Sequence, residues 1–194
     1  MTLSSHHKRW LTAAVGLPLL ALTFYLGPWA VYILLLLGSC LGQYEFYSMF
    51  WPKGQRSGHK TLGVTFGVIL LTASLLYGPA WSMLSLLALF WGLNLFFLFR
   101  YDTTPSTAGY TEAAVLLSGL LYLPAVLQLA LHLEPLELVL VLLACFASDT
   151  GAFYTGSWFG ARKIWPAISP KKTWMGSTGG MTLCVFVCLA MGAI

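Results

Sequence analysis

Residues 148–180 read SDTGAFYTGSWFGARKIWPAISPKKTWMGSTGG, with an apolar run before them (136–147) and another after them (181–194). How this stretch is read decides the fold. The 13 residues 136–148 alone make about 20 Å of helix, too short for a hydrocarbon core of about 30 Å. Continued through Asp149 to Phe159, the same helix reaches about 36 Å and crosses. A single helix over about 136–159 is therefore expected. A carboxylate facing lipid near the bilayer centre costs about 3 kcal/mol, so Asp149 is expected to face a wet cavity or a cationic partner. Pro166 and Pro170 then impose an extended loop, and a last helix is expected to begin near Thr173.

Working outward, the whole chain has the same character. Of its 194 residues 58% are hydrophobic and only 8% charged. Soluble domains average roughly 25% charged residues, so the class is an all-α, polytopic membrane bundle. Apolar runs cover 10–26, 29–49, 61–77, 81–99, 111–131, 136–147 and 181–194, which gives about seven segments in one membrane domain, 1–194. Trp10, Trp29, Trp51 and Trp81 stand at run edges, where an aromatic belt would place them.

The ten basic residues all fall in alternate loops: Lys8 and Arg9; Lys53, Arg56 and Lys60; Arg100; then Arg162, Lys163, Lys171 and Lys172. The intervening loops at 27–28, 78–80 and 132–135 hold none. The positive-inside rule then puts the amino terminus and residues 148–180 in the cytoplasm. The net charge of +4, spread over short loops between apolar runs, fits anionic lipid and phosphate partners rather than nucleic acid.

Residues 148–180 concentrate chemistry as well as charge. They hold four of the ten bases, Asp149, and glycines at 151, 156, 160, 176, 179 and 180. Glycine lets a backbone approach a ligand closely, hydroxyls and N–H groups hold phosphate oxygens, and lysines neutralise them. A polyanion site at a membrane surface is the chemical reading.

The same stretch resembles the phosphatidate cytidylyltransferase (CDP-diacylglycerol synthase) family. The resemblance is carried by Ser148-Asp149-Thr150-Gly151-Ala152-Phe153, Gly156, Phe159-Gly160, Arg162-Lys163 and Pro166. It continues through Ile168-Ser169-Pro170-Lys171-Lys172-Thr173-Trp174 to Gly176 and Gly179-Gly180. It implies that CTP and phosphatidate give CDP-diacylglycerol and diphosphate at a bacterial inner membrane, with Mg²⁺ or another divalent cation. On that basis Lys171 and Lys172 hold triphosphate oxygens, and Ser169 and Thr173 donate hydroxyls. Asp149 binds the metal or orients a lysine. Arg162 and Lys163 take the phosphatidate headgroup or serve as an interfacial anchor. Met175 stands where the family usually has Glu or Gln, and the family's later Asp-Arg-x-Asp signature does not occur in these residues. The alternatives are a truncated or inactive protein of the same fold, or a CTP-dependent lipid kinase.

Other features carry weaker expectations. Glu45 near the end of the second run is either a surface carboxylate or part of the same cavity. Cys40, Cys145, Cys184 and Cys188 lie in apolar segments and read as structural thiols before a disulfide or zinc. His6 and His7 read as a solvated tail. Glycine pairs at spacing four (38/42, 63/67, 156/160, 176/180) predict close helix contacts and admit a homodimer.

Overall fold

Two Gly-Pro pairs set the first reversals of the chain. Gly27 and Gly78 have φ of 90° and 83°, a region open to glycine and strained for other residues. Pro28 and Pro79 follow as first helical residues, where the missing N–H is harmless. The structure, a computed structural model, describes residues 5–52, 56–103 and 110–192. Lys53 and the end of the last apolar run, 193–194, lie outside them, as do the side chains of His6, His7, Lys8, Arg9 and Arg100.

The helices are α1 (Ser5–Leu26), α2 (Pro28–Phe50), α3 (Ser57–Tyr77), α4 (Pro79–Thr103), α5 (Tyr110–Tyr122), α6 (Pro124–Leu127), α7 (Pro135–Phe159) and α8 (Trp174–Gly192). Among the described residues six stretches are long and apolar enough to cross a membrane, the α5–α6 region counting as one through Leu131. With so many large apolar side chains facing outward, this is an integral membrane protein. The chain divides into two compact units, Met1–His132 and Leu133–Ile194.

In the first unit α3 packs against α2, α4, α5 and α6. Its centre is a side-chain plug. Tyr47 of α2 is fully buried, and Gly63 of α3 and Gly119 of α5 flank its ring. A Cβ on either glycine would come within 2.6 Å of the Tyr47 hydroxyl oxygen, so only glycine leaves room for the ring. The Tyr47 hydroxyl donates to the Leu116 carbonyl at 3.1 Å. Gln43 Nε2, one turn earlier, lies 3.3 Å from the Gly63 carbonyl and 3.4 Å from the Tyr47 hydroxyl. Gln43 also rests against Gly67. Three helices are thus tied by two polar side chains, the Tyr47 hydroxyl and the Gln43 amide nitrogen making the contacts while Gln43 Oε1 is left without a partner.

Trp51 departs from the aromatic-belt expectation. It is only 8% exposed and stacks on Tyr47 at 6.0 Å, whereas Trp29 and Trp81 are exposed as expected. Lys60 also turns inward, 2% exposed, and donates to Ser48 Oγ at 3.1 Å. Helix α2 has no base of its own in its last turn. Lys60 brings a cation to that negative helix end from the neighbouring helix. Nearby, Glu112 pairs with Arg56 and lies 3.2 Å from His59 Nε2. Both partners lie some fifty residues before Glu112 in the chain. The apolar run 111–131 is interrupted at Pro124, which has no N–H to continue α5, and ends in a 3-10 turn, Gln128–Leu131.

In the second unit α7 and α8 form an antiparallel pair joined by a small hairpin. Helix α7 follows the expected 136–159 closely, and α8 begins one residue after Thr173. The connection is not simply an extended loop. Strand β1 (Lys163–Trp165) pairs antiparallel with β2 (Ser169–Thr173).

Candidate functional site

The site is built on a helix pair whose backbones nearly touch. A Cβ at Gly180 would lie 2.6 Å from the Ser148 carbonyl oxygen, and one at Gly151 2.7 Å from that of Gly179. One at Gly176 would lie 2.9 Å from that of Ala152. Gly179 leaves space for Thr155, whose hydroxyl reaches the Gly151 carbonyl at 2.7 Å and the Met175 carbonyl of α8 at 3.0 Å. Such contacts are how helices associate in lipid, where apolar surface gains nothing by leaving solvent. The glycines at 156, 176 and 180 are thus occupied within the chain, as are 63 and 67 in the first unit. Of the remaining pair, Gly42 meets Leu123 and Gly38 faces open space.

This pair presents the hairpin. Trp165 pairs with Ser169 and Lys163 with Thr173, so Ile164 alone stands opposite Pro170, Lys171 and Lys172. Pro170 has no N–H for the ladder, and the strand bulges. The bulge pushes both lysines out of register, the re-aiming that bulges provide beside functional sites. A β-turn closed by the Ile168 N–H on the Trp165 carbonyl (3.1 Å) joins the strands. At the base, the Trp174 N–H donates to the Arg162 carbonyl at 3.1 Å.

Thr173 fixes the start of α8. It is 4% exposed, and its Oγ1 accepts the Gly176 N–H at 3.1 Å, an N-cap on the third residue of the helix. The expected hydroxyl donor to substrate is therefore turned into the helix start, beside Gly156 and Gly160. Ser169 is half-buried on β2. Arg162, Lys163, Lys171 and Lys172 are all exposed, and among the described residues none makes an ion pair. The positive end of the α8 dipole adds to this field. Trp158, Trp165 and Trp174 surround the bases, each more than half exposed, as at a membrane–water interface.

Asp149 is exposed on α7 and has no ion-pair partner among the described residues, so the pairing with Lys171 or Lys172 is not made. Thr173 sits level with Gly156, seven residues along α7 from Asp149, or about 10 Å. Among the described residues no three His, Cys, Asp or Glu side chains cluster to hold a metal. The four cysteines are free thiols. Glu45 is exposed on α2, in the other unit.

Sequence reasoning missed the groove between α7 and α8, a cavity of about 590 Å³. Its walls include Tyr154, Phe159, Met175, Thr178, Thr182 and Phe186. Asp149 is not among the residues that line it. The missed signal was the pair Thr178 and Thr182, four residues apart and so on one flank of α8.

A family model described as the cytidylyltransferase family matches residues 7–194. The chain is 30% identical over 183 residues to a phosphatidate cytidylyltransferase of Pseudomonas aeruginosa, covering 90% of this chain and 66% of that one. Shorter matches are found to phosphatidate cytidylyltransferases of Bacillus subtilis and Staphylococcus aureus. The first is 37% identical over 57 residues, 28% of this chain and 21% of the relative. The second is 45% identical over 49 residues, 25% and 19% respectively. The chain thus spans less than two thirds of the length of these relatives. No solved structure matches it significantly.

Proposed function

Since the chain belongs to the cytidylyltransferase family, we propose that it transfers the cytidylyl group of CTP to phosphatidate, giving CDP-diacylglycerol and diphosphate. The observation that carries this reading is the hairpin. Four bases with no acidic partner among the described residues stand at a helix amino terminus, ringed by interfacial tryptophans. A polyanion and a lipid phosphate can meet there.

In this reaction an oxygen of the phosphatidate phosphate attacks the α-phosphorus of CTP, and the bond to the β-phosphate oxygen breaks. Positioning and charge neutralisation supply most of the catalysis in such transfers. Lys171 and Lys172, displaced from the ladder by the bulge, hold triphosphate oxygens. Arg162 and Lys163 bind the lipid phosphate, and Ser169 adds a hydroxyl at the edge of β2. Thr173 positions the helix start rather than reaching substrate with a free oxygen.

A divalent cation, Mg²⁺ by family, would neutralise phosphate charge here. Asp149, exposed and without an ion-pair partner among the described residues, would be the carboxylate to hold it, about 10 Å along α7 from the level of Thr173. Magnesium usually takes one or two carboxylates plus phosphates and water. The alternation of basic and base-free loops supports a cytoplasmic amino terminus and hairpin at a bacterial inner membrane.

The test is formation of CDP-diacylglycerol by the purified chain with CTP, phosphatidate and Mg²⁺. Lys171→Ala/Lys172→Ala is expected to lower kcat/KM at least about 100-fold, two charge-assisted contacts of about 1.5 kcal/mol or more each. Unchanged turnover in the double variant would remove the hairpin from the mechanism. Release of CDP instead of diphosphate would identify a lipid kinase.

A further inference from the structure

The groove between α7 and α8 has a chemistry that the nucleotide does not use. Three of its four threonine hydroxyls are engaged with backbone: Thr155 with Gly151 at 2.7 Å, Thr178 with Met175 at 3.1 Å and Thr182 with Thr178 at 2.8 Å. With these hydroxyls committed to backbone carbonyls, the rest of the lining is set by side chains such as Tyr154, Phe159, Leu183 and Phe186. The groove is therefore apolar in effect and suits hydrocarbon.

Its placement is equally specific. One end is formed by Phe159 and Met175, the last residue of α7 and the second of α8. The hairpin with its four bases is the segment inserted between those two residues. From there the lining runs to Thr150 on α7 and Phe186 on α8, about 14–17 Å of helix. That is half of a hydrocarbon core of about 30 Å, the depth of one leaflet. A basic head region with no acidic partner among the described residues, leading into an apolar channel one leaflet deep, has the form of a single phospholipid.

We propose that this groove seats an acyl chain of the phosphatidate whose phosphate the hairpin bases hold. The identity of the lipid rests on the function proposed above; the seat itself does not need turnover. Met175 then has a role suited to its chemistry, an adaptable apolar wall where the groove meets the hairpin.

The experiment uses the full chain in phosphatidylcholine nanodiscs without CTP, and a phosphatidate bearing a photoreactive diazirine midway along one acyl chain. After irradiation, adducts are mapped by mass spectrometry. Adducts are expected on Thr182 and Phe186, reduced at least five-fold by excess unlabelled phosphatidate and not by phosphatidylglycerol. Thr182→Trp, at an exposed position, should remove them, and Lys171→Ala/Lys172→Ala should weaken them. Adducts spread evenly over lipid-facing residues such as those of α4, or unaffected by competitor or by Thr182→Trp, would overturn the proposal. Equal competition by phosphatidylglycerol would overturn the choice of lipid. A groove closed by a second copy would exclude the label and yield chain-to-chain adducts, also against it. Competable labelling without CDP-diacylglycerol formation would leave the seat standing while the proposed reaction fell; turnover without labelling would do the reverse.

Discussion

Both units of this protein use glycine to bring helices together, but what fills the vacated space differs. In the first unit, Gly63, Gly67 and Gly119 accept side chains, the ring of Tyr47 and the amide of Gln43. In the second, Gly151, Gly176 and Gly180 accept backbone, the carbonyls of Gly179, Ala152 and Ser148. A side chain can be shortened by mutation and a carbonyl cannot. The first interface is therefore adjustable and the second is not, which suits a helix pair that must hold a hairpin in a fixed place.

The comparison breaks most visibly at Gly180. Gly180→Leu would drive a branched side chain into the Ser148 carbonyl, and overpacking of about 3 kcal/mol or more is expected. Thermal unfolding in detergent should show a large drop in Tm, and phosphate-lipid binding should be lost with it. Tyr47→Ala comes next. It empties the plug of the first unit and removes the hydroxyl that ties α2 to α5, at about 3–5 kcal/mol less any relaxation.

The sharper test is rescue. Gly63→Ala should cost about 1–3 kcal/mol, and Tyr47→Val in the same chain should recover part of it, a non-additivity measurable by a double-mutant cycle. Ser148→Gly should recover nothing from Gly180→Ala, because the atom in the way is backbone. Rescue in the second unit would show that its helices can slide apart. The smallest effect is expected at the hairpin's anchor. Thr173→Ala should lower stability by about 1 kcal/mol and Thr173→Ser hardly at all, read by urea or thermal unfolding.

Helix α7 was legible in advance because 136–148 is too short to cross and 136–159 is long enough. Pro170 and the bases announced a special connection. Its bulged pairing was not legible, since register depends on which residues of two short strands meet. The inward turns of Trp51 and Lys60 were also hidden. Both sit at run edges like interfacial residues, and only the neighbouring Tyr47 and Ser48 give them a reason to fold inward. The Arg56–Glu112–His59 group escaped for the same cause, its members being near only after α3 and α5 pack.

The sequence by itself determined the class, the spans, the concentration of positive charge in one connection and the family resemblance. These follow from composition, length and local order, which the bilayer reads directly. Tertiary structure decided which glycines receive side chains and which receive backbone. It also decided that Thr173 caps a helix, that Asp149 stands apart from the lysines, and that a groove one leaflet deep opens beneath them. Each of these depends on distances between residues remote in sequence, and such distances are fixed only when the helices meet.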